Sequence, residues 1–113
     1  MSNLESFLDF KKIDIRVGTI ISAEINNKLL KPSIILKIDF GKEVGVRKSS
    51  AQLTKNYKPE QLIQKQIAAV INFPQKQIGN LISEVLVLAF PDDSGEPILF
   101  SPDKKVANGR EIY

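Results

Sequence analysis

The side chains that this chain lacks limit the chemistry open to it. It has 113 residues, and none of them is a histidine or a cysteine. The commonest general base and the thiolate nucleophile are therefore absent, and metal sites built from either residue type are excluded. Asp92 and Asp93 stand together in a turn, but they lack the spaced oxygen ligands of a calcium loop. We predict a protein that is not an enzyme and that holds neither a metal nor a cofactor.

Basic and polar residues form the more informative constellation. The net charge is +3, but residues 31–80 hold nine basic side chains against three acidic ones. Arg47, Lys48 and Lys55 lie close together in this block, and Lys76 follows in a polar stretch. Such clusters are typical of a surface that binds nucleic-acid phosphates, although ordinary solubilising lysines give the same pattern. The charge distribution favours a polyanionic partner without identifying it.

Short strands are the main elements expected to position these residues. Apolar residues at every second position and intervening turn residues predict the boundaries. Gly18 marks a bulge or bend in the first strand, Gly41 and Lys42 suit a tight turn, and residues 74–83 are predicted to be a long loop. The predicted strands cover residues 13–25, 33–40, 44–48, 67–73, 84–90 and 98–100.

A helix is predicted between the third and fourth strands. Ser49 and Gln52 form a capping box at its start, and Pro59 ends it. The OB-fold, a Greek-key barrel of five to six strands, carries a helix at this place in its strand order. We therefore predict an all-β OB-fold with short helices. A β-sandwich is the competing architecture, but sandwiches rarely insert a helix there.

Residues 1–9 are predicted to form a short helix that contacts a second copy of the chain. Ser2 and Glu5 make a capping box at its start. A helix of two turns is too short to persist alone and needs a surface to pack against. The apolar residues expected in this homodimer contact are Phe7, Leu8 and Phe10.

The sequence gives no sign of insertion into a membrane. No stretch approaches the roughly 20 apolar residues that a spanning helix needs. The first ten residues carry acids where a signal peptide carries basic residues. We expect a soluble, cytoplasmic protein.

Three separated motifs resemble the tRNA-binding OB-fold domain, which also occurs fused to some methionyl- and phenylalanyl-tRNA synthetases. Residues 10–20 read FKKIDIRVGTI and resemble the opening D-I-R-V-G strand of that domain. Residues 44–53, VGVRKSSAQL, resemble the stretch leading into its helix. NFP at 72–74 followed by SEVLVL at 83–88 is closer to the free-standing CsaA branch, described as export-related chaperones.

The resemblance implies a homodimeric OB-fold domain of the tRNA-binding type over residues 10–113. It implies tRNA as a partner, bound by shape and phosphate contacts, and unfolded or preprotein chains as proposed clients. By motif position, the residues expected to contact tRNA are Asn72, Lys76 and Ser83, with Arg47, Lys48 and Lys55 as basic support.

The segment around Lys76 departs from the family pattern. Relatives often carry several basic residues here, whereas this chain has Leu81 and Ile82. Asn80 stands where glycine is usual, and asparagine tolerates a positive φ. Leu81 and Ile82 either belong to an apolar surface that binds client chains or anchor the loop.

Three hypotheses therefore remain open. The first is a tRNA-binding module, and the second is primarily a protein-binding chaperone with weak tRNA binding. The third is a dimeric scaffold for another protein.

Overall fold

The computed structural model describes residues 4–28 and 30–113. Residues 1–3 lie outside this description, and with them Ser2 of the predicted capping box. The helices are α1 (Leu4–Lys11), α2 (Gly41–Val44) and α3 (Pro59–Leu62). The strands are β1 (Ile15–Asn26), β2 (Ser33–Asp39), β3 (Val46–Ala51), β4 (Gln66–Val70), β5 (Lys76–Ile78), β6 (Leu81–Ser83), β7 (Leu86–Val87), β8 (Ala89–Pro91) and β9 (Pro97–Leu99).

The main sheet is antiparallel, with the strand order β3-β2-β1-β4-β7. Strand β1 is shared between two neighbours, because its first part pairs with β4 and its second part with β2. Sharing a long strand in this way curls the sheet toward a barrel. The hairpins β5–β6 and β8–β9 form two further, separate two-stranded sheets. This curled sheet with a few short helices is the predicted OB-fold.

One face of β2 supplies the centre of the core. Ile34, Leu36 and Ile38 alternate along the strand, and Phe40 continues the pattern just beyond its end. All four side chains are fully buried. The apolar face predicted for residues 33–40 is therefore confirmed, and the intervening Lys37 lies on the exposed face.

Gly18 has a different role from the predicted bulge. It pairs in regular register with Ile67, and the irregularity in β1 lies between Ile20 and Ser22. A Cβ atom added at Gly18 would lie 2.6 Å from Ile38 Cγ2. Glycine is needed here because β1 passes directly against the core side chains of β2.

A helix lies between β3 and β4 as predicted, but it is α3 at Pro59–Leu62, and the predicted start at Ser49 is wrong. Strand β3 continues through Ala51 because residues 46–51 pair throughout with β2, and this pairing overrides the capping-box signal. Pro59 begins α3 instead of ending a helix. The predicted tight turn at Gly41 is instead the short helix α2, with Gly41 at φ 89°.

The long loop predicted over residues 74–83 is a hairpin. Strands β5 and β6 pair through Lys76 with Ser83, Gln77 with Ile82, and Ile78 with Leu81. The positive φ of its turn belongs to Gly79, at 59°, and not to Asn80. The single strand predicted over residues 84–90 is divided into β7 and β8.

None of the helices in the described ranges is long and apolar enough to cross a membrane.

Candidate nucleic-acid interface

The sheet closes into a barrel where the free edge of β3 meets the segment that joins β6 to β7. The Glu84 N–H donates to the Lys48 carbonyl, and the Lys48 N–H donates to Glu84 Oε1, both at 2.8 Å. Farther along β3, the Ser50 N–H donates to Ser83 Oγ at 3.1 Å. These bonds satisfy backbone groups that an edge strand would otherwise leave open. The closure fixes Lys48 beside residues 83–84.

Lys37 and Lys48 lie directly opposite each other on β2 and β3. Both are exposed, and neither forms an ion pair with any residue in the described ranges. Like charges at opposed positions repel each other and destabilise a sheet. An anion bound between these ammonium groups would relieve the repulsion. Lys37 was not among the predicted contacts, because the tight turn predicted at Gly41 and Lys42 would have placed it opposite Val46 and not opposite Lys48.

The structure separates the two adjacent basic residues of β3. Successive strand residues point to opposite faces, so Arg47 faces away from Lys48. Arg47 pairs with Ile38, is half-buried, and donates from Nε to the Val44 carbonyl at 3.3 Å. Lys55 is exposed in the turn after β3.

An outer groove of about 390 Å³ joins β3 to the β5–β6 hairpin. It brings a predicted RNA contact, Lys48, together with the two predicted protein contacts. Leu81 is half-buried, as expected of a hairpin anchor, whereas Ile82 is 49% exposed. The residues lining this groove are Lys48, Gln75, Asn80, Leu81, Ile82 and Glu84.

An inner cleft of about 350 Å³ lies between the same hairpin, β3 and β7. Its lining is mostly apolar and includes Phe73, Ile78 and Leu86. Lys76 and Ser83 also line it, and Glu84 borders both the cleft and the groove. Lys55 lines neither of them.

Two of the predicted polar contacts already form hydrogen bonds within the protein. Asn72 Oδ1 accepts from the Asp14 N–H at 2.9 Å, and its Nδ2 donates to the Lys12 carbonyl at 2.7 Å. Ser83 is buried, and its Oγ also lies 3.3 Å from Ser49 Oγ. Ser83 therefore positions the backbone of β3 beside the cleft, whereas Asn72 holds the segment that precedes β1 and lines neither the groove nor the cleft.

The turn that contains Asp92 and Asp93 could have suggested a cation site, but hydrogen bonds to the Asp92 carboxylate stabilise it. Asp92 Oδ1 accepts from the N–H groups of Ser94 at 2.8 Å and Glu96 at 2.9 Å, and Oδ2 accepts from Asn56 Nδ2 at 2.9 Å. The bond from Asn56, followed by that from Glu96, holds the pKa of Asp92 below its ordinary value. In the described part of the chain, no three acidic, His or Cys side chains are grouped to hold a metal ion.

Comparison with known proteins places the chain in a family. Residues 15–111 match the family model described as "Putative tRNA binding domain". The chain belongs to this tRNA-binding domain family. The match leaves α1 outside it.

The relatives of this family member include both free-standing and fused proteins. The chaperone CsaA of Bacillus anthracis is 45% identical with a TM-score of 0.90, covering 100% of this chain and 99% of that one. The CsaA chaperone protein of Picrophilus torridus is 47% identical with a TM-score of 0.87, covering 100% of both chains. The methionine–tRNA ligase of Methanococcoides burtonii is 40% identical over 98% of this chain but only 16% of its own length. These likenesses confirm the predicted family and fold.

The D-I-R-V-G segment that carries the family resemblance has a structural role in this member. Arg16 Nε donates to Asp14 Oδ1 at 2.6 Å, and Nη1 donates to the Gly109 carbonyl at 3.1 Å. The hydrogen bond to Asp14 raises the pKa of Arg16 above its ordinary value. Its guanidinium also lies 3.5 Å from Glu43. Arg16 therefore ties β1 to α2 and to the C-terminal segment.

Proposed function

We propose that this protein binds tRNA, with the phosphate backbone crossing the exposed face of β2 and β3. The observation that carries the proposal is the opposed pair Lys37 and Lys48, two unpaired cations held side by side by the strand register. Membership of the tRNA-binding domain family supports the same ligand.

The other candidate contacts differ in their relation to this lysine pair. Lys76 adds an exposed cation on the hairpin, and Asn80 adds an amide in the outer groove. Asn72 and Ser83 act by positioning backbone, while Arg47 and Lys55 contribute to the positive field at longer range. In this proposal bound RNA is recognised mainly through phosphates and shape, as is usual for structured RNA.

We also infer that the chain is a cytoplasmic binding domain without a catalytic activity of its own. It spans about a sixth of the length of the methionine–tRNA ligase that it matches. A single small domain of such an enzyme would contribute tRNA binding and not the activation of the amino acid.

The test is tRNA binding by the full chain over a series of salt concentrations. Each phosphate contact releases counterions, so log affinity falls linearly with log salt. We expect the variants Lys37→Gln, Lys48→Gln and Lys76→Gln each to weaken binding to all tRNAs and to flatten the slope by about one.

The matched control is Lys42→Gln, an exposed lysine in α2, beyond the end of β2 that lies away from the hairpin. It removes the same charge and should leave the slope nearly unchanged. Wild-type binding by the Lys37 and Lys48 variants would contradict the proposal.

A second candidate function is chaperone activity toward unfolded or preprotein chains. The observation that favours it is apolar surface at the same hairpin: the exposed Ile82 and the mostly apolar inner cleft. Similarity to CsaA chaperones supports it. We expect Ile82→Ser to weaken binding of a permanently unfolded polypeptide while tRNA binding persists, and the reverse result would exclude this function.

We further propose that the protein is a homodimer in which α1 contacts the partner copy. In the single chain, Phe7 and Leu8 are each 53% exposed and Phe10 is 42% exposed. An eight-residue helix with three exposed apolar side chains gains little stability from its own chain.

A further inference from the structure

At a single place in the chain an asparagine is followed directly by glycine, at Asn108 and Gly109. This dipeptide is the one most prone to spontaneous deamidation, because glycine has no side chain to hinder attack of its backbone nitrogen on the preceding carboxamide. Whether the reaction occurs in the folded protein depends on how the fold holds these two residues.

Both residues lie in a segment that closes against the first part of β1. This closing segment consists of residues 106–112. The Val17 N–H donates to the Arg110 carbonyl at 3.1 Å, and the Ile112 N–H donates to the Ile15 carbonyl at 2.9 Å. The segment lies outside the named strands and is largely exposed. Its local opening therefore requires less free energy than global unfolding.

The carboxamide of Asn108 is held from two strands. Its Oδ1 accepts from Thr19 Oγ1 of β1 at 2.7 Å and from Gln66 Nε2 of β4 at 3.0 Å. Thr19 and Gln66 face each other in the β1–β4 register, so the sheet fixes both donors. The half-buried side chain of Asn108 must break both bonds before it can rotate.

The attacking nitrogen is held as well. The Gly109 N–H donates to the Val17 carbonyl at 2.8 Å, and the Gly109 carbonyl accepts from Arg16 Nη1 at 3.1 Å. Gly109 has a φ of 90°, and a Cβ atom added to it would lie 2.5 Å from the Phe40 carbonyl oxygen. Deprotonation of the Gly109 nitrogen, which deamidation requires, must therefore wait until its bond to Val17 breaks.

We propose that Asn108 and Gly109 form a self-modification site, which is inactive while the closing segment is in place and reacts when that segment opens. In the open segment, hydroxide removes the Gly109 amide proton and the nitrogen attacks Asn108 Cγ. The new C–N bond replaces the bond from Cγ to Nδ2, which leaves as ammonia after taking a proton from water. Water then opens the cyclic imide at either carbonyl and gives aspartate or isoaspartate, without any change of oxidation state.

The isoaspartate product cannot restore the closed arrangement. Isoaspartate carries the main chain through its side-chain carbons and lengthens it by one methylene group. The Gly109 N–H and carbonyl then no longer match Val17 and Arg16, and the close approach to Phe40 leaves no room for a shift. A transient opening thereby becomes permanent. This inference concerns the lifetime of the fold and does not rest on tRNA binding.

The first experiment incubates the full chain at mildly alkaline pH, with and without denaturing urea, and follows the modification by peptide mass spectrometry. We expect deamidation at Asn108 to be at least about tenfold slower in the folded protein, because it must await local opening. Asn80, which precedes leucine, is the internal control and should remain unmodified over the same period. Equal rates at Asn108 in the folded and the unfolded protein would overturn the proposal.

The second experiment loosens the carboxamide. Thr19→Val removes one of its two donors and should accelerate deamidation of the folded protein roughly three- to tenfold. The matched control is Thr54→Val, at a half-buried threonine in the turn after β3. Both variants are compared at urea concentrations that leave equal fractions folded, so that global unfolding contributes equally. An acceleration in Thr19→Val no greater than that in Thr54→Val would contradict the assigned role of the hydrogen bonds.

The third experiment tests the consequence for the fold. The isoaspartate form is separated by ion exchange, and we expect it to melt at a lower temperature than the unmodified chain. Asn108→Asp is the matched control, because it adds the same charge, keeps a normal main chain and retains an acceptor for Thr19. It should melt closer to wild type. An unchanged melting temperature of the isoaspartate form, or an equal fall in Asn108→Asp, would refute the claim that the lengthened main chain keeps the segment open.

Discussion

Single side chains near the candidate surface differ in how much of their hydrogen-bonding capacity the fold already uses. Lys37 and Lys48 are free of ion pairs within the described ranges, and they can exchange water for phosphate at little structural cost. Asn72 and Ser83 instead bond to backbone groups of other elements. Charge removal and hydrogen-bond removal should therefore have different consequences at this surface.

Ser83 provides the sharper test of that difference. Ser83→Ala removes the acceptor of the Ser50 N–H, in a buried position where water does not fully replace it. We expect the free energy of unfolding to fall by about 1–2 kcal/mol, with the salt slope of tRNA binding unchanged. Urea denaturation measures the first and the salt series the second. Ser94→Ala, in an exposed turn, is the control and should be neutral.

The positive charge of Arg16 is compensated by acidic groups of the protein itself. Its side chain is only 14% exposed and meets Asp14, Glu43 and the Gly109 carbonyl. Arg16→Met should destabilise the fold by about 2–3 kcal/mol, because it leaves a partly buried Asp14 carboxylate unpaired. The exposed Arg110→Met is the control. A destabilisation no larger than that of the control in urea denaturation would contradict the structural role.

At the scale of elements, the turn between β8 and β9 depends on an ionised carboxylate. Hydrogen bonds lower the pKa of Asp92 in the folded state, so the folded protein binds that proton more weakly than the unfolded chain does. The resulting stabilisation is fully present above the unfolded pKa of about 4. This stabilisation is lost as the pH falls below about 4 and passes through the lower pKa that Asp92 has in the folded protein.

We therefore expect Asp92→Asn to lower the melting temperature at pH 7 and the difference from wild type to shrink on acidification below about pH 4. Thermal unfolding over a pH series checks this. The control is Asp93→Asn at the neighbouring exposed position, whose side chain makes no hydrogen bond in the described part of the turn. A difference that grew on acidification would contradict the assigned sign.

The elements that were predicted well from the sequence are those in which apolar residues alternate without interruption along the whole strand. The apolar alternation of residues 33–40 corresponds to β2, because every apolar member of it reaches the core. Ser49 misled the prediction because a capping box is local evidence, whereas the continuation of β3 depends on pairing with a strand more than ten residues away. Residues 74–83 lack a strong strand pattern, and only their pairing makes them a hairpin.

The candidate site was harder to predict than the fold for a related reason. Lys48 and Lys76 could be singled out as cations, but the partner of Lys48 is Lys37, which follows from the β2–β3 register. The place of Glu84 between the groove and the cleft depends on barrel closure. Sequence reasoning identifies side-chain types, and long-range pairing decides which of them meet.

At the scale of the whole molecule, the exposed apolar residues of α1 predict a two-chain assembly. Leu8→Glu places a charge in the proposed contact and should shift the full chain toward monomer, because a buried unpaired charge is costly. Sedimentation velocity over a concentration series measures the shift. Ile25→Glu is the control, since Ile25 is a similarly exposed apolar residue, at 48%, on β1. Equal sedimentation of Leu8→Glu and wild type would remove α1 from the interface.

The two proposed ligands of the molecule meet in one place. Lys48, proposed to bind RNA phosphate, and Ile82, proposed to bind client chains, both line the outer groove. We therefore expect tRNA and an unfolded polypeptide to compete, because one groove cannot be filled twice. Reduced, carboxymethylated lactalbumin carrying a fluorophore should be displaced by tRNA at low salt. Its displacement should need more tRNA at high salt, where phosphate contacts weaken.

The variants test whether Lys48 is responsible. Lys48→Gln should still bind the polypeptide, but tRNA should no longer displace it, whereas Lys42→Gln should behave as wild type. Simultaneous binding of both ligands to one copy would contradict the shared groove and move the client to the inner cleft.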